Sequence, residues 1–421
     1  MTQSLFDRAP TDDGATLTSE LAAFAWNNRP TAVDTYDCPV SGHRVPVLTN
    51  EFWTSQQRAA HSLHEVSYRA CFKPQLPQFF ITRLTQAGDA VYDPFSGRGT
   101  TLIEAALNGR IPRGCDVSPI SQALAWPRLS PPTIEEVRAR LDGLDLRWSM
   151  LPEDLLTFYH PDTLAELCAI RSYFIERRES GAFDRVDDWL RMVTLNRLTG
   201  HSPGFLSVYT LPPNQAVTVD SQRKINARRR QTPPRRDLRA IVARKSAQLL
   251  RDVDDATRQR LCGAAERGQF QLGSCLETFW DPGSVRLIVT SPPFLDVVDY
   301  ASDNWLRGWL AGLDVRDVPL AVHRRIDDWR AFVQQAFHQF ARLLQPRGFV
   351  AFEVGDVRGG RIRLEDEVVP CGVAAGLEPV CILVNQQRFT KTANIWGVRN
   401  NVKGTNSNRI VVFQRPASVD P

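Results

Sequence analysis

Asp93-Pro-Phe-Ser-Gly-Arg-Gly-Thr-Thr101, entered from Ala90-Val-Tyr, reads as the carboxyl end of a short buried strand, a glycine-punctuated turn and the start of a helix. Gly97 and Gly99 let the backbone turn tightly and approach a ligand, and Thr100 can cap the helix that follows. That helix is expected over 100–107, with Asn108-Gly109 as its stop signal. A second strand then ends at Gly114-Cys-Asp116. Strand, glycine turn, helix, strand opens a parallel α/β sheet, and such sheets bind ligands beyond the carboxyl ends of their strands. Asp116 stands where a strand-end carboxylate can accept hydrogen bonds from ribose hydroxyls. The full G-x-G-x-x-G spacing is absent, which disfavours a dinucleotide.

Working outward, the α/β rhythm stops after about Leu129. Helical periodicity takes over at 133–144, 162–178, 187–198 and 237–251, around an irregular Pro- and Arg-rich section, 201–236. Strand signals return at 270–272, at Val285–Thr290, at 349–354 and in an expected antiparallel edge pair, 380–385 and 409–414. Helices are expected over 304–310 and 329–344. The first 45 residues are polar and weakly patterned, and read as a flexible arm. The expected organisation is therefore an arm (1–45), a first part of the main domain (46–130), a helical and basic insertion (131–261) and a second part (262–421).

The strand Val285–Thr290 leads into Ser291-Pro-Pro-Phe294. Two prolines fix this backbone, so the Ser291 hydroxyl and the Pro292 carbonyl are preorganised acceptors, and the Phe294 ring offers a stacking face. This Ser-Pro-Pro-Phe hook resembles that of enzymes acting on exocyclic amines of nucleobases, poor nucleophiles because their lone pair is delocalised into the ring. By that resemblance its acceptors would take the N–H groups of a base that has left the duplex.

Composition sets the bounds. Of 421 residues 43% are hydrophobic and 23% charged, ordinary values for a chain with a packed core. No apolar run approaches a membrane span, and the N-terminus lacks an apolar signal core, so a cytoplasmic, nucleoid-associated protein is expected. The eight cysteines form no C-x-x-C pair and read as reduced, mostly buried thiols, with no metal site expected. The net charge is only +4, yet eleven Lys or Arg and one acidic residue, Asp237, lie between Ser221 and Arg251. Arg223, Lys224, Arg228, Arg229 and Arg230 are candidates to neutralise phosphates, with a plain solvated face as the alternative.

The string Asp93–Thr101 with Asp116, followed by Ser291–Phe294, resembles the two halves of S-adenosylmethionine-dependent DNA amino-methyltransferases, in the order with the cofactor motif first. The resemblance implies a Rossmann-like class I methyltransferase sheet with an antiparallel edge pair and a largely helical inserted target-recognition region. It implies S-adenosyl-L-methionine as cofactor, held by Asp93, Pro94, Phe95, Ser96, Gly97, Gly99, Thr100, Thr101, Asp116 and Ser274 or Cys275. Phe72 and Lys73, in a segment resembling the one that closes over the cofactor carboxylate, complete the set. Ser291, Pro292, Pro293 and Phe294 would be catalytic. Serine at the first of these positions is typical of cytosine-N4 enzymes acting on double-stranded DNA. Phe294 stands where such enzymes usually carry Tyr. A restriction endonuclease acting on the same site is the partner this type often has. Adenine-N6 methylation, guanine-N2 methylation of RNA and a catalytically silent DNA-binding module remain as alternatives. Asp299, Tyr300, Glu353 and Asp356 are further candidates to border the base pocket. Pro370-Cys371 reads as a helix start, and the oligomeric state is open.

Overall fold

The computed structural model describes residues 10–53, 60–68, 71–210, 216–293, 300–313, 318, 325–354, 356–357, 362–386 and 407–417. In chain order, helix α1 (Gly14–Ala22) precedes strands β1 (Ala25–Trp26), β2 (Arg29–Pro30), β3 (Ala32–Asp37) and β4 (Arg44–Asn50). Helix α2 (Gln75–Leu84) leads into β5 (Ala90–Asp93), α3 (Thr100–Leu107), β6 (Ile111–Asp116) and α4 (Pro119–Ala125). Six helices follow: α5 (Ile134–Gly143), α6 (Pro161–Glu179), α7 (Arg185–Arg197), α8 (Val219–Arg229), α9 (Leu238–Leu249) and α10 (Asp255–Arg267). The chain then returns to the sheet with β7 (Gln269–Leu272), β8 (Val285–Thr290), α11 (Tyr300–Ala311), α12 (Ile326–Leu343) and β9 (Leu344–Val354). A short pair, β10 (Asp356–Val357) and β11 (Ile362–Arg363), precedes α13 (Glu365–Ala374), β12 (Glu378–Gln386) and β13 (Ser407–Gln414).

Among the described residues the central sheet has nine strands in the order β3-β4-β12-β13-β9-β8-β5-β6-β7. From β9 to β7 every pairing is parallel. β13 lies antiparallel to both β9 and β12. This is the doubly wound α/β architecture expected, with its antiparallel pair. The order reverses between β5 and β8, the place where such sheets open a crevice for ligand.

The parallel strands are continuous apolar runs because both their faces are covered. Phe79, Phe80 and Leu84 of α2 pack on Val91, Val289 and Ala351 from one side. Trp329, Phe337 and Phe340 of α12 pack on Tyr92, Ile288 and Phe352 from the other. The inserted helices build a third apolar cluster that incorporates Ile103 and Ala106 of α3, so the insertion rests on the helix behind the glycine turn.

Five expectations change. Residues 14–50 are not a loose arm. Leu17 and Leu21 of α1 are buried, and β3–β4 extend the sheet, β4 pairing in parallel with β12. Five of the six β3 residues are exposed, which left little apolar signal to read. The β12–β13 pair accordingly does not form the sheet edge. The section 201–236 contains helix α8, whose face is polar. It is built from the Thr218 cap and from Gln222 and Asn226, which hydrogen-bond the Tyr209 and Thr157 carbonyls. Pro370 lies inside α13, not at its start. Helix α10 runs across the 261 boundary and packs against α3 and β6.

Candidate functional site

The carboxyl ends of β5 and β8 bring the two sequence motifs together. Thr290 Oγ1 donates to Asp93 Oδ1 at 2.7 Å, across 197 positions of sequence. Thr101 Oγ1 donates to the Val289 carbonyl at 3.2 Å, so α3 is tied to β8 as well as to β5. Beyond these strand ends lies a cavity of about 400 Å³. Its wall includes Phe72, Asp93, Pro94, Phe95, Ser96, Gly97, Thr100, Asp116, Ser274, Cys275, Ser291, Pro292 and Pro293.

The glycine turn has the geometry its sequence asks for. Gly97 has φ +49° and Gly99 φ +77°, left-handed values that favour glycine. A Cβ on Gly99 would come within 2.4 Å of Ala125 Cβ, because α3 and α4 meet there. Ser96 is fixed by its hydroxyl donating to the Asp93 carbonyl at 2.9 Å and its N–H to the Cys115 carbonyl at 3.0 Å. Asp116 is held by two backbone donors, Gly97 N–H at 2.8 Å and Ser118 N–H at 2.9 Å, one on each carboxylate oxygen. A carboxylate has about four lone-pair directions, so the remaining ones are available to hydroxyls.

Burial raises both carboxyl groups above the usual range. Asp93 is lifted to about 6, against the opposing donations from Thr290 and the Phe95 N–H. Asp116 is raised for the same reason, against the N–H groups of Ser118 and Gly97. Two carboxyl groups desolvated on one cavity wall suit a ligand that brings positive charge and hydroxyl groups.

The Ser-Pro-Pro hook is pinned from behind. The indole N–H of Trp329, fully buried in α12, donates to the Pro293 carbonyl at 2.8 Å. Phe294 and Asp299 lie outside the described residues, as do the side chains of Tyr300 and Asp356. Glu353 is buried at the end of β9 and accepts from Asn408 Nδ2; burial lifts its carboxyl to about 7. The register Thr290↔Phe352 ends β8 one residue short of Glu353 on β9, so the hook begins at the level of Glu353.

Three residues of the sequence reading lie off the wall. Gly99 and Thr101 act behind it, as the turn's packing point and the α3–β8 tie, and Lys73 is exposed beyond it. Conversely, the wall includes Tyr68, Cys71, Val117, Ser118, Leu272, Gly273 and Phe332, which the sequence did not single out. Ser118 was findable, since Asp-x-Ser before a proline-started helix is a turn in which the carboxylate takes the N–H two residues on. Phe332 was not. It comes from α12, and its ring centroid lies 5.8 Å from that of Phe95 only because the sheet brings them together.

The five basic residues divide into two kinds. Arg223 is paired with Asp220 and Asp154, and Arg229 stacks on Tyr209 with its guanidinium carbon 3.7 Å from the ring centroid. Lys224, Arg228 and Arg230 are exposed and form no ion pair with a described residue. No group of three or more metal-binding side chains occurs among the described residues, and none of their helices is long and apolar enough to cross a membrane.

Residues 37–123, from the N-terminal strands through the glycine turn to Asp116, match the family model described as DNA methylase. Over 78 residues the chain is 35% identical to the type II methyltransferase M.MjaII of Methanocaldococcus jannaschii, covering 18% of this chain and 14% of that one. Over 141 residues it is 29% identical to the type II methyltransferase M.MvaI of Kocuria varians, covering 33% and 27%. The chain thus spans about a seventh to a quarter of the length of these relatives. Among solved structures, a TehB-like SAM-dependent methyltransferase from Corynebacterium glutamicum aligns over 79% of this chain and 83% of its own at 10% identity, with a TM-score of 0.28. Geranyl diphosphate C-methyltransferase from Streptomyces coelicolor A3(2) aligns over 80% and 79% at 9% identity, with a TM-score of 0.31.

Proposed function

We propose that this protein is a DNA amino-methyltransferase that uses S-adenosylmethionine, and that its target is the exocyclic N4 of cytosine in a short duplex site. The observation that carries the reading is a single cavity walled on one side by the glycine turn with Asp93 and Asp116, and on the other by Ser291-Pro-Pro. The match to the DNA methylase family model supports it, since residues 37–123 include the glycine turn.

The cofactor suits the residues present. Asp93 stands nearest the catalytic hook through Thr290 and would face the cationic methionine end, and Asp116 would accept from the ribose hydroxyls. Gly97 forms the turn through its left-handed backbone, φ +49°, and its side faces Tyr68 and Cys71 at ordinary contact distance. When bound, the cofactor supplies an electrophilic methyl group on its sulfonium.

The chain's own part is to prepare the amine. The Ser291 hydroxyl and Pro292 carbonyl accept its N–H groups, which frees the nitrogen lone pair from the ring. Trp329 holds the hook so that these acceptors need no reorganisation as the reaction proceeds. The base reaches them by leaving the duplex. Lys224, Arg228 and Arg230 on the insertion neutralise phosphates. Cytosine is preferred over adenine on the strength of the serine at 291.

Methylation-aware sequencing of DNA from a host expressing the protein tests base, position and site together. N4-methylcytosine at one short sequence is expected; N6-methyladenine would overturn the choice of base, and unmodified DNA the activity. In the Ser291→Ala variant, methylation should fall at least about 100-fold, the size of effect seen when a preorganised hydrogen-bonding group is removed. Cofactor binding, measured by calorimetry, should persist. Undiminished methylation would remove Ser291 from the catalytic role.

A further inference from the structure

The strap of chain that brings Tyr68, Cys71 and Phe72 to the cavity wall is held by its backbone carbonyls. Arg128 Nη1 donates to Leu63 at 2.9 Å, and Arg98, inside the glycine turn, donates to Val66 at 2.9 Å and Phe72 at 3.4 Å. The Ser67 carbonyl takes two donors, Asn196 Nδ2 of α7 at 3.2 Å and Arg307 Nη2 of α11 at 3.2 Å. Arg307 is only 7% exposed. Its other amino group donates to Asn304 Oδ1 at 2.7 Å, and its guanidinium carbon lies 5.5 Å from the centroid of the Tyr68 ring. A buried guanidinium is costly unless its N–H groups are used, and these are used on the strap and on its own helix.

Helix α11 has a second attachment. Trp305 Nε1 donates to the Val217 carbonyl at 3.2 Å, and the Ala216 N–H donates to the Asp303 carbonyl at 3.2 Å. Both contacts lie immediately before Thr218, the cap of basic helix α8. One helix therefore grips the strap beside the cavity and the base of the helix that presents Lys224 and Arg228. The same helix begins six residues after Phe294.

We propose that Arg307 is a positioning residue for the methyl transfer inferred above, on which this inference rests: it fixes the strap against the cofactor cavity and links that wall, through α11, to the base of α8. Arg307 does not touch the reacting atoms. It sets how well the cofactor is enclosed.

The test is steady-state methyl transfer to unmethylated genomic DNA at varied S-adenosylmethionine, together with calorimetry of the cofactor. Arg307→Gln should raise the KM for S-adenosylmethionine about tenfold or more, the scale of one lost charge-assisted hydrogen bond. The kcat at saturating cofactor should stay within about threefold of the unaltered protein, since the transfer chemistry is untouched. Arg307→Lys should fall between the two, because an ammonium can reach one acceptor but not the fork and the ring together. Asn196→Ala removes the other donor to Ser67 and should move KM the same way by a few-fold, and it carries the test with Arg307→Lys if Arg307→Gln does not fold. Leu141→Ala, a buried truncation in α5, should lower the melting temperature without moving KM. A KM within about twofold of the unaltered protein in folded Arg307 and Asn196 variants would overturn the clamp while leaving the methyltransferase reading intact. Failure of the unaltered protein to bind S-adenosylmethionine would overturn that reading, and this proposal with it.

Discussion

Asp93 joins the two halves of the site, and its burial makes pH a probe of it. The carboxyl is lifted to about 6 in the folded chain from 3.8, because desolvation outweighs the hydrogen bonds it accepts. Between those values the folded protein holds a proton that the unfolded chain has shed. This group's contribution therefore rises as pH falls through about 6 and is complete below 3.8. At pH 7 its ionised burial costs roughly 3 kcal/mol, at about 1.4 kcal/mol per unit. Asp93→Asn removes that dependence. The melting temperature of the unaltered protein, minus that of the variant, should increase as the buffer moves from pH 7 to pH 5. Parallel pH profiles would show that Asp93 does not titrate there. Cofactor affinity should run the other way, because the cationic methionine end favours the ionised carboxylate. Titrations of S-adenosylmethionine should weaken below about pH 6 in the unaltered protein, and be weak and flat with pH in the variant.

At the scale of elements, the turn between β5 and α3 and the end of α5 give opposite predictions for one substitution. Gly99 sits at φ +77° with Ala125 Cβ 2.4 Å from where its own Cβ would be, so Gly99→Ala forces α3 away from α4. A loss of roughly 2–4 kcal/mol in denaturant unfolding is expected, with loss of cofactor binding. Gly143 ends α5 with nothing within 4 Å of such a Cβ and no left-handed backbone, so Gly143→Ala should stabilise by about 0.5–1 kcal/mol. If the two changes had similar effects, the turn would not be under the packing constraint described. The same contrast explains what was legible in the sequence. β5, α3 and β8 begin and end where their residues announce, because each is short, apolar and closed by a turn signal that acts locally. Helix α8 was not legible, since its order comes from Gln222 and Asn226 reaching distant carbonyls and leaves no apolar stripe. β3 stayed hidden for a related reason: an edge strand with one buried residue carries almost no alternation. Most of the cavity wall was visible because it follows the two motifs and the strand ends beside them. Tyr68, Leu272 and Phe332 were not, because only the fold brings their segments there.

For the whole molecule, the modest net charge of +4 hides where the free positive charge sits. The run between Ser221 and Arg251 suggests one basic surface, but the fold consumes part of it. Arg223 is neutralised by Asp154 and Asp220, Arg229 lies on Tyr209, Arg239 bonds the Leu141 and Leu144 carbonyls, and Lys245 is buried. What remains for a polyanion on this helix is Lys224, Arg228 and Arg230. If these meet phosphates, each contact releases condensed counterion, and binding falls with salt by a slope of about 0.9 per phosphate in log–log form. Neutralising all three should reduce the slope by about 2.7, with a uniform loss across DNA sequences, since phosphate contacts carry no base information. Arg223→Ala should instead leave the slope nearly unchanged, because the charge it removes is already paired. Titrations of duplex DNA between about 50 and 200 mM salt separate the two outcomes. Equal slopes for the triple variant and the unaltered protein would move the DNA-binding surface off α8.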